Sequence, residues 1–328
     1  MRILCVWMPD YISTSYEMTH YLPALKSLGH DAKFLPLNEY TNERILDIVK
    51  MWRPHLAIFK LYRDKMRIEI AAHISNRTNT TTAVIRGDDE KYFDINKPWD
   101  SVNVAPHFNY VLTTYKKAVP AYKTLRIKNV IYSPYGCNHE YCKREKLKKD
   151  VDVSFLGTRK WNRVDLLNYL AYHGVNLLVY GMGWPDNKGE DRILAPEDYV
   201  WMMNKTKVNI NCQIDIVKDG NADAVKGKKT MQVKGRDFEV PMCGGFLLTN
   251  YNDDLKEFYK FGKEIETYKD HKECLSKIRY YLKHDDKRER IAKAGYKRAR
   301  KDHTYVKRFR KVLSKIELKK GIYEKRKS

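Results

Sequence analysis

Residues 236–249 read Arg236-Asp237-Phe238-Glu239-Val240-Pro241-Met242-Cys243-Gly244-Gly245-Phe246-Leu247-Leu248-Thr249. The stretch predicts a short helix, a double-glycine stop and a buried strand. Arg236 and Glu239 are three residues apart, so they share one helix face. Gly244 and Gly245 can end the helix in a left-handed conformation. Phe246 to Thr249 is a short apolar run that suits a buried strand. A carboxylate at a helix start can accept hydrogen bonds from sugar hydroxyls. The free N–H groups and positive dipole there attract phosphate. Together these features suit a nucleotide sugar.

Outward from this stretch, apolar runs alternate with amphipathic ones. In the first half, strands are predicted at Ile3–Trp7, Asp31–Leu37, Leu56–Phe59, Thr82–Ile85, Phe108–Thr113 and Asn129–Ser133. Helices are predicted at 14–28, 42–52, near 65–76 and between the last two strands. Strands apolar on both faces, alternating with helices, argue a parallel doubly wound α/β sheet. A polar, charged stretch at 138–150 has the composition of a linker. The alternation then restarts with strands at Val151–Leu156, Asn176–Tyr180 and Val208–Cys212, and a helix at 162–172. Two helices near 270–300 follow. A last one, near 304–318, puts Tyr305, Phe309, Val312, Leu313 and Ile316 on one face. The final residues, Lys319 to Ser328, form a basic tail expected to fray.

The chain has 328 residues, enough for two domains with their own cores. No apolar run approaches the roughly 18 residues of a membrane helix. The N-terminal run is short for a signal peptide and reads as a strand, so a cytoplasmic location is expected. The six cysteines form no Cys-x-x-Cys pair. They read as buried free thiols, not as a zinc site or disulfide framework. The net charge of +22 attracts polyanions: nucleic acid, an anionic cell-wall polymer or a membrane surface. Its plainer reading is a solvated surface.

The 236–249 segment resembles the signature of group-1 glycosyltransferases with the GT-B fold, in the spore-maturation-protein (CgeB-like) branch. That signature is an Arg-x-Phe-Glu start, a small-residue-Cys-Gly turn and a Gly-Phe-Leu-Leu-Thr strand. The likeness continues through Leu255, Gly262-Lys263-Glu264, Ile278 to Leu282, and Ala294-Gly295 to His303-Thr304-Tyr305. It implies two Rossmann-like domains facing across a cleft. Residues 1–140 would hold the acceptor and residues 141–303 the nucleotide sugar, with a helix at 304–320 returning to the first domain.

The resemblance implies that Glu239 contacts the ribose and Arg236 the diphosphate. A helix-start acid and a structural ion pair are their plainer readings. Gly157-Thr158-Arg159-Lys160-Trp161-Asn162-Arg163 follows a strand and opens a helix. Gly157 permits close backbone approach, and the helix start can hold phosphate. Arg159 and Arg163 match the basic pair that neutralises the departing diphosphate in the family, and fixed cations there lower the barrier. Gly181, in Gly181-Met182-Gly183-Trp184, reads as a base-binding loop or a plain turn. Gly244 and Gly245 count with the donor-binding residues. Asp88, in Arg86-Gly87-Asp88-Asp89-Glu90, could position or deprotonate an acceptor hydroxyl. Ser13 to Tyr16 stands where the family has a small-residue loop, without its usual glycine pair. Tyr135 to His139 resembles the family hinge, and Lys218 to Thr230 reads as a mobile loop. Asp150-Val151-Asp152 has the letters of a metal-binding Asp-x-Asp, but at a strand start, so catalysis without metal or cofactor is expected.

The resulting expectation is a retaining glycosyltransferase that uses a nucleoside-diphosphate sugar, with an anionic surface glycan as acceptor. DNA carrying hydroxymethylated bases is the alternative acceptor. A non-catalytic polyanion-binding protein is the other alternative. Oligomeric state stays open.

Overall fold

The computed structural model describes residues 1–7, 16–60, 68–87, 100–186, 191–213 and 232–319. Asp88, Ser13–Ser15 and the loop at 218–230 fall outside the described residues. Contacts divide the chain into two units. One is Met1–Pro134 with the chain from Tyr305 onward; the other is Tyr135–Thr304. Residues 135–140, assigned to the first domain on sequence, therefore group with the second unit.

In the first unit the strands are β1 (Arg2–Trp7), β2 (Asp31–Pro36), β3 (Leu56–Lys60), β4 (Thr81–Arg86), β5 (Tyr110–Thr113) and β6 (Val130–Tyr132). Their order is β2-β1-β3-β4-β5-β6, with every pair parallel. Between them run α1 (Leu22–Ser27), α2 (Asn42–Trp52), α3 (Ile68–Arg77), α4 (Ser101–Val104) and α5 (Ala118–Thr124). The Thr41 side chain accepts from Arg44 N and so caps α2. Before α1 the chain makes a π-helical turn, Glu17–Tyr21. Pro23 stands at the start of α1 and has no N–H for the carbonyl four residues back, so the preceding turn widens.

One face of this sheet buries Ile3, Cys5, Trp7, Ile58 and Ile85 under Tyr21, Leu25, Tyr305, Phe309 and Val312. The last three come from the chain's final helix, described below. Burying a large apolar side chain is worth about 1.5–3 kcal/mol, so this return segment is an integral part of the first unit's core.

The second unit contains β7 (Val151–Leu156), α6 (Trp161–Tyr172), β8 (Leu177–Pro185), β9 (Asp191–Arg192), α7 (Pro196–Lys205) and β10 (Thr206–Asn211). It continues through α8 (Arg236–Met242), β11 (Leu247–Asn250), β12 (Glu266–Tyr268), α9 (His271–Lys283) and α10 (Asp285–Asp302). The final helix, α11 (Tyr305–Leu313), lies beyond it in the first unit. Strand order is β12-β11-β10-β7-β8-β9, parallel except for β9 against β8. Both sheets therefore place later strands on either side of the first, with a topological switch point beside it.

Two features differ from expectation. The stretch at 138–150 is packed, not free: Asn204 on α7 donates to Lys143 O at 2.9 Å and accepts from Glu145 N at 2.8 Å. Cys142 within it is buried. Gly181 to Trp184 also form no loop; they extend β8, because β9 supplies an antiparallel partner.

Candidate active site

In an open parallel sheet, ligands bind beyond the strand carboxyl ends at the switch point. Here that point lies between β7 and β10, which pair directly. β7 runs out into Gly157–Lys160 and β10 into Cys212–Gln213. α8 carries the Arg236–Glu239 pair into the same region, tied to β10 and β11 through Asp237.

Asp237 is fully buried. Its carboxylate accepts from Asn211 Nδ2 at 2.6 Å, Gln213 Nε2 at 2.9 Å, Thr249 Oγ1 at 3.1 Å and Lys234 N at 3.0 Å. Burial pushes this carboxyl up from the usual range, and the four hydrogen bonds pull it back. Gln213 extends the network, since its N–H donates to Asn250 Oδ1 at 2.8 Å and its Oε1 accepts from Asn252 Nδ2 at 2.9 Å. The helix start is thus fixed to the ends of two central strands.

Glu239 sits two residues on and is also buried. Its Oε2 accepts from Tyr199 Oη at 2.9 Å and lies 3.8 Å from Arg236 Nε. Burial raises the Glu239 carboxyl, while the Arg236 charge and the Tyr199 hydroxyl lower it. The Arg236 guanidinium lies over the Tyr199 ring, 4.9 Å from its centroid. Arg236 Nε and Nη1 are buried with no hydrogen-bond partner among the described residues. Tyr199 was missed on sequence because α7 was missed. The signal was there: Pro196 opens the helix, and Glu197 and Asp198 follow in its first turn.

The two arginines of the β7–α6 loop have different surroundings. Arg163 Nε donates to Cys212 O at 2.9 Å and its Nη1 to Thr158 O at 2.7 Å. It therefore braces the loop after β7 against the end of β10. Arg159 is exposed, 5.9 Å from the Trp184 ring centroid. Trp184 Nε1 donates to Gly157 O at 2.7 Å and ties the ends of β7 and β8 together.

The glycines have packing roles. A Cβ on Gly181, where φ is +141°, would stand 2.2 Å from Gly157 O. Gly181→Ala is expected to cost about 1–3 kcal/mol through strain and overpacking. Urea unfolding measures it; an unchanged midpoint would show that the two strand ends separate freely. Gly244 and Gly245 complete a Schellman cap: Gly244 N donates to Pro241 O and Gly245 N to Val240 O, each at 2.9 Å. A Cβ on Gly244 would meet the Arg144 side chain at 2.8 Å. Both glycines shape the end of α8 opposite to Arg236.

All six cysteines are free and buried. Asp150 pairs with Lys205 at 2.9 Å and Asp152 with Lys207 at 2.6 Å. Both acids stand at the amino end of the second sheet, away from the ends of β7 and β10. No helix among the described residues is long and apolar enough to cross a membrane.

Residues 159–314 match a family described as glycosyl transferase-like. Spore protein CgeB of Bacillus subtilis is 26% identical over 222 residues, covering 64% of this chain and 67% of that protein. HepE from Anabaena, solved with UDP and glucose, aligns with a TM-score of 0.66 at 12% identity, covering 96% of this chain and 98% of its own. Sucrose-phosphate synthase from Thermosynechococcus elongatus gives 0.65 at 10% identity, covering 95% and 98%. The two sheets and these likenesses agree on the GT-B fold, within which residues 159–314 are similar to glycosyl transferase-like proteins and the chain is similar to CgeB.

Proposed function

We propose that the second unit holds a nucleoside-diphosphate sugar at the ends of β7 and β10, and that the enzyme transfers its sugar to an anionic surface glycan. The observation that carries the donor assignment is that Arg236 Nε and Nη1, buried beside Glu239, have no hydrogen-bond partner among the described residues. Buried donors nearly always have acceptors, and diphosphate oxygens supply them. Glu239 accepts from the ribose hydroxyls, with Tyr199 holding its carboxylate. Arg159 faces the departing diphosphate, and Arg163 keeps the Arg159 loop in place. The reading is metal-independent, with fixed cations taking the charge that a divalent ion would otherwise take. By the family resemblance, the sugar's anomeric configuration is retained. The net charge of +22 supports an anionic acceptor.

The test is calorimetry with nucleoside diphosphates, after a thermal-shift screen for the nucleotide sugar that raises the melting temperature. Glu239→Ala is expected to lose about 1.5–3 kcal/mol of affinity, the worth of a hydrogen bond to a charged group. Equal affinity in a folded variant would remove Glu239 from the donor site.

A further inference from the structure

The candidate site uses little of the protein's positive charge, and part of the remainder is ordered. Past the first turn of α10, where Asp285 and Asp286 are exposed, the exposed residues Arg290, Lys293, Lys297, Arg300 and Lys301 are all basic. Their spacing of three, four, three and one puts them on a single helix face. The row is about 16 Å long at 1.5 Å per residue. The opposite face is buried through Ile291, Ala292, Gly295 and Ala299. It cannot rotate outward: a Cβ on Gly295 would stand 2.2 Å from Glu264 O, so helix and loop are in backbone contact. Of the nearby acids, Asp285 and Glu289 pair with Arg288 and Asp302 with Arg298, while the exposed Asp286 stands one turn before Arg290 at the start of the row.

We propose that this face of α10 is a docking surface for a flexible anionic glycan chain. The inference rests on the anionic-acceptor reading above and adds where that acceptor, or its polymer, is held outside the reacting centre. The row is one helix wide and presents only charge. Tyr296, its aromatic neighbour, is half-buried, which leaves no exposed platform for stacked bases. The helix's apolar side is spent on the core, so it has none to insert into a bilayer. A single line of cations suits a single line of anions that can bend to follow it.

Fluorescence anisotropy with a labelled polygalacturonate oligosaccharide tests this, from low to physiological salt. One variant replaces Arg290, Lys293, Lys297, Arg300 and Lys301 with Gln, which keeps helix propensity. A control of equal charge replaces the exposed Lys50, Lys123, Lys128, Lys146 and Lys148 with Gln. At roughly 0.7 per neutralised charge on a single strand, the row variant is expected to lower the log–log salt slope by about 3.5 and the affinity about tenfold or more. The control is expected to change the affinity about twofold, as screened charges at a distance do. Nucleoside diphosphate affinity, measured on the same samples, is expected to be unchanged, so failure of the donor site would register separately. Equal losses in both variants would reduce the effect to net charge and overturn the proposal. So would absence of glycan binding by the wild type, or a larger row-dependent loss for duplex DNA or phosphatidylserine vesicles than for the glycan.

Discussion

Arg159→Ala is expected to slow sugar transfer about a hundredfold while the protein stays folded. A leaving nucleoside diphosphate gains negative charge as the bond to the sugar breaks. A preorganised donor facing that charge contributes typically a hundredfold or more to the rate. Arg159 is exposed at the end of β7, whereas Arg163 donates to the carbonyls of Thr158 and Cys212. The two variants should therefore differ in kind. Arg159→Ala should lower kcat with a near-normal melting temperature, and Arg159→Lys should recover part of the rate. Arg163→Ala should lower the melting temperature as well, because two strand-end carbonyls lose their donor. Single-turnover kinetics alongside thermal unfolding separates these outcomes. Turnover is also expected to survive EDTA. Full activity in Arg159→Ala would sink the assignment, as would complete loss in EDTA restored by manganese.

Asp237→Ala is expected to cost about 3–5 kcal/mol of stability, since each buried donor left unsatisfied costs about 1–3 kcal/mol. Asn211, Gln213 and Thr249 would each lose an acceptor, and so would Lys234 N. Asp237→Asn should lose less, because the amide oxygen still accepts from some of these groups. Urea unfolding gives the magnitude. Nucleoside diphosphate affinity of whatever remains folded should fall too, because α8 carries Arg236 and Glu239 and is held by this carboxylate. A loss below about 1 kcal/mol would mean that water replaces the network, contrary to the cost of leaving buried polar groups unpaired.

The alternation of apolar strands and amphipathic helices was legible in the chain itself. So were the spacing of Arg236 and Glu239, the glycine stop after α8 and the apolar face of α11. All are local: helix periodicity, strand burial and a left-handed glycine depend on residues a few positions apart. What those residues do was settled farther away. Glu239 meets Tyr199 across 40 positions, and Asp237 collects donors from β10 and β11. Within the Arg-Asp-Phe-Glu run, nothing local singles out Asp237. Its burial follows from where β10 and β11 end. Gly181 likewise read as a turn or a base-binding position, and only the parallel pairing of β7 and β8 makes it a contact with Gly157 O. Arg159 and Arg163, similar by letter, separate because one guanidinium reaches the carbonyl end of β10 and the other does not. The sequence by itself determined the two α/β units and the helix that carries Arg236 and Glu239, because periodicity and glycine conformation act over a few residues. Only the tertiary structure decided which of those polar groups are spent on the fold and which, like Arg236 Nε and Nη1, have no hydrogen-bond partner among the described residues, because partners are assigned by strand order and not by distance along the chain.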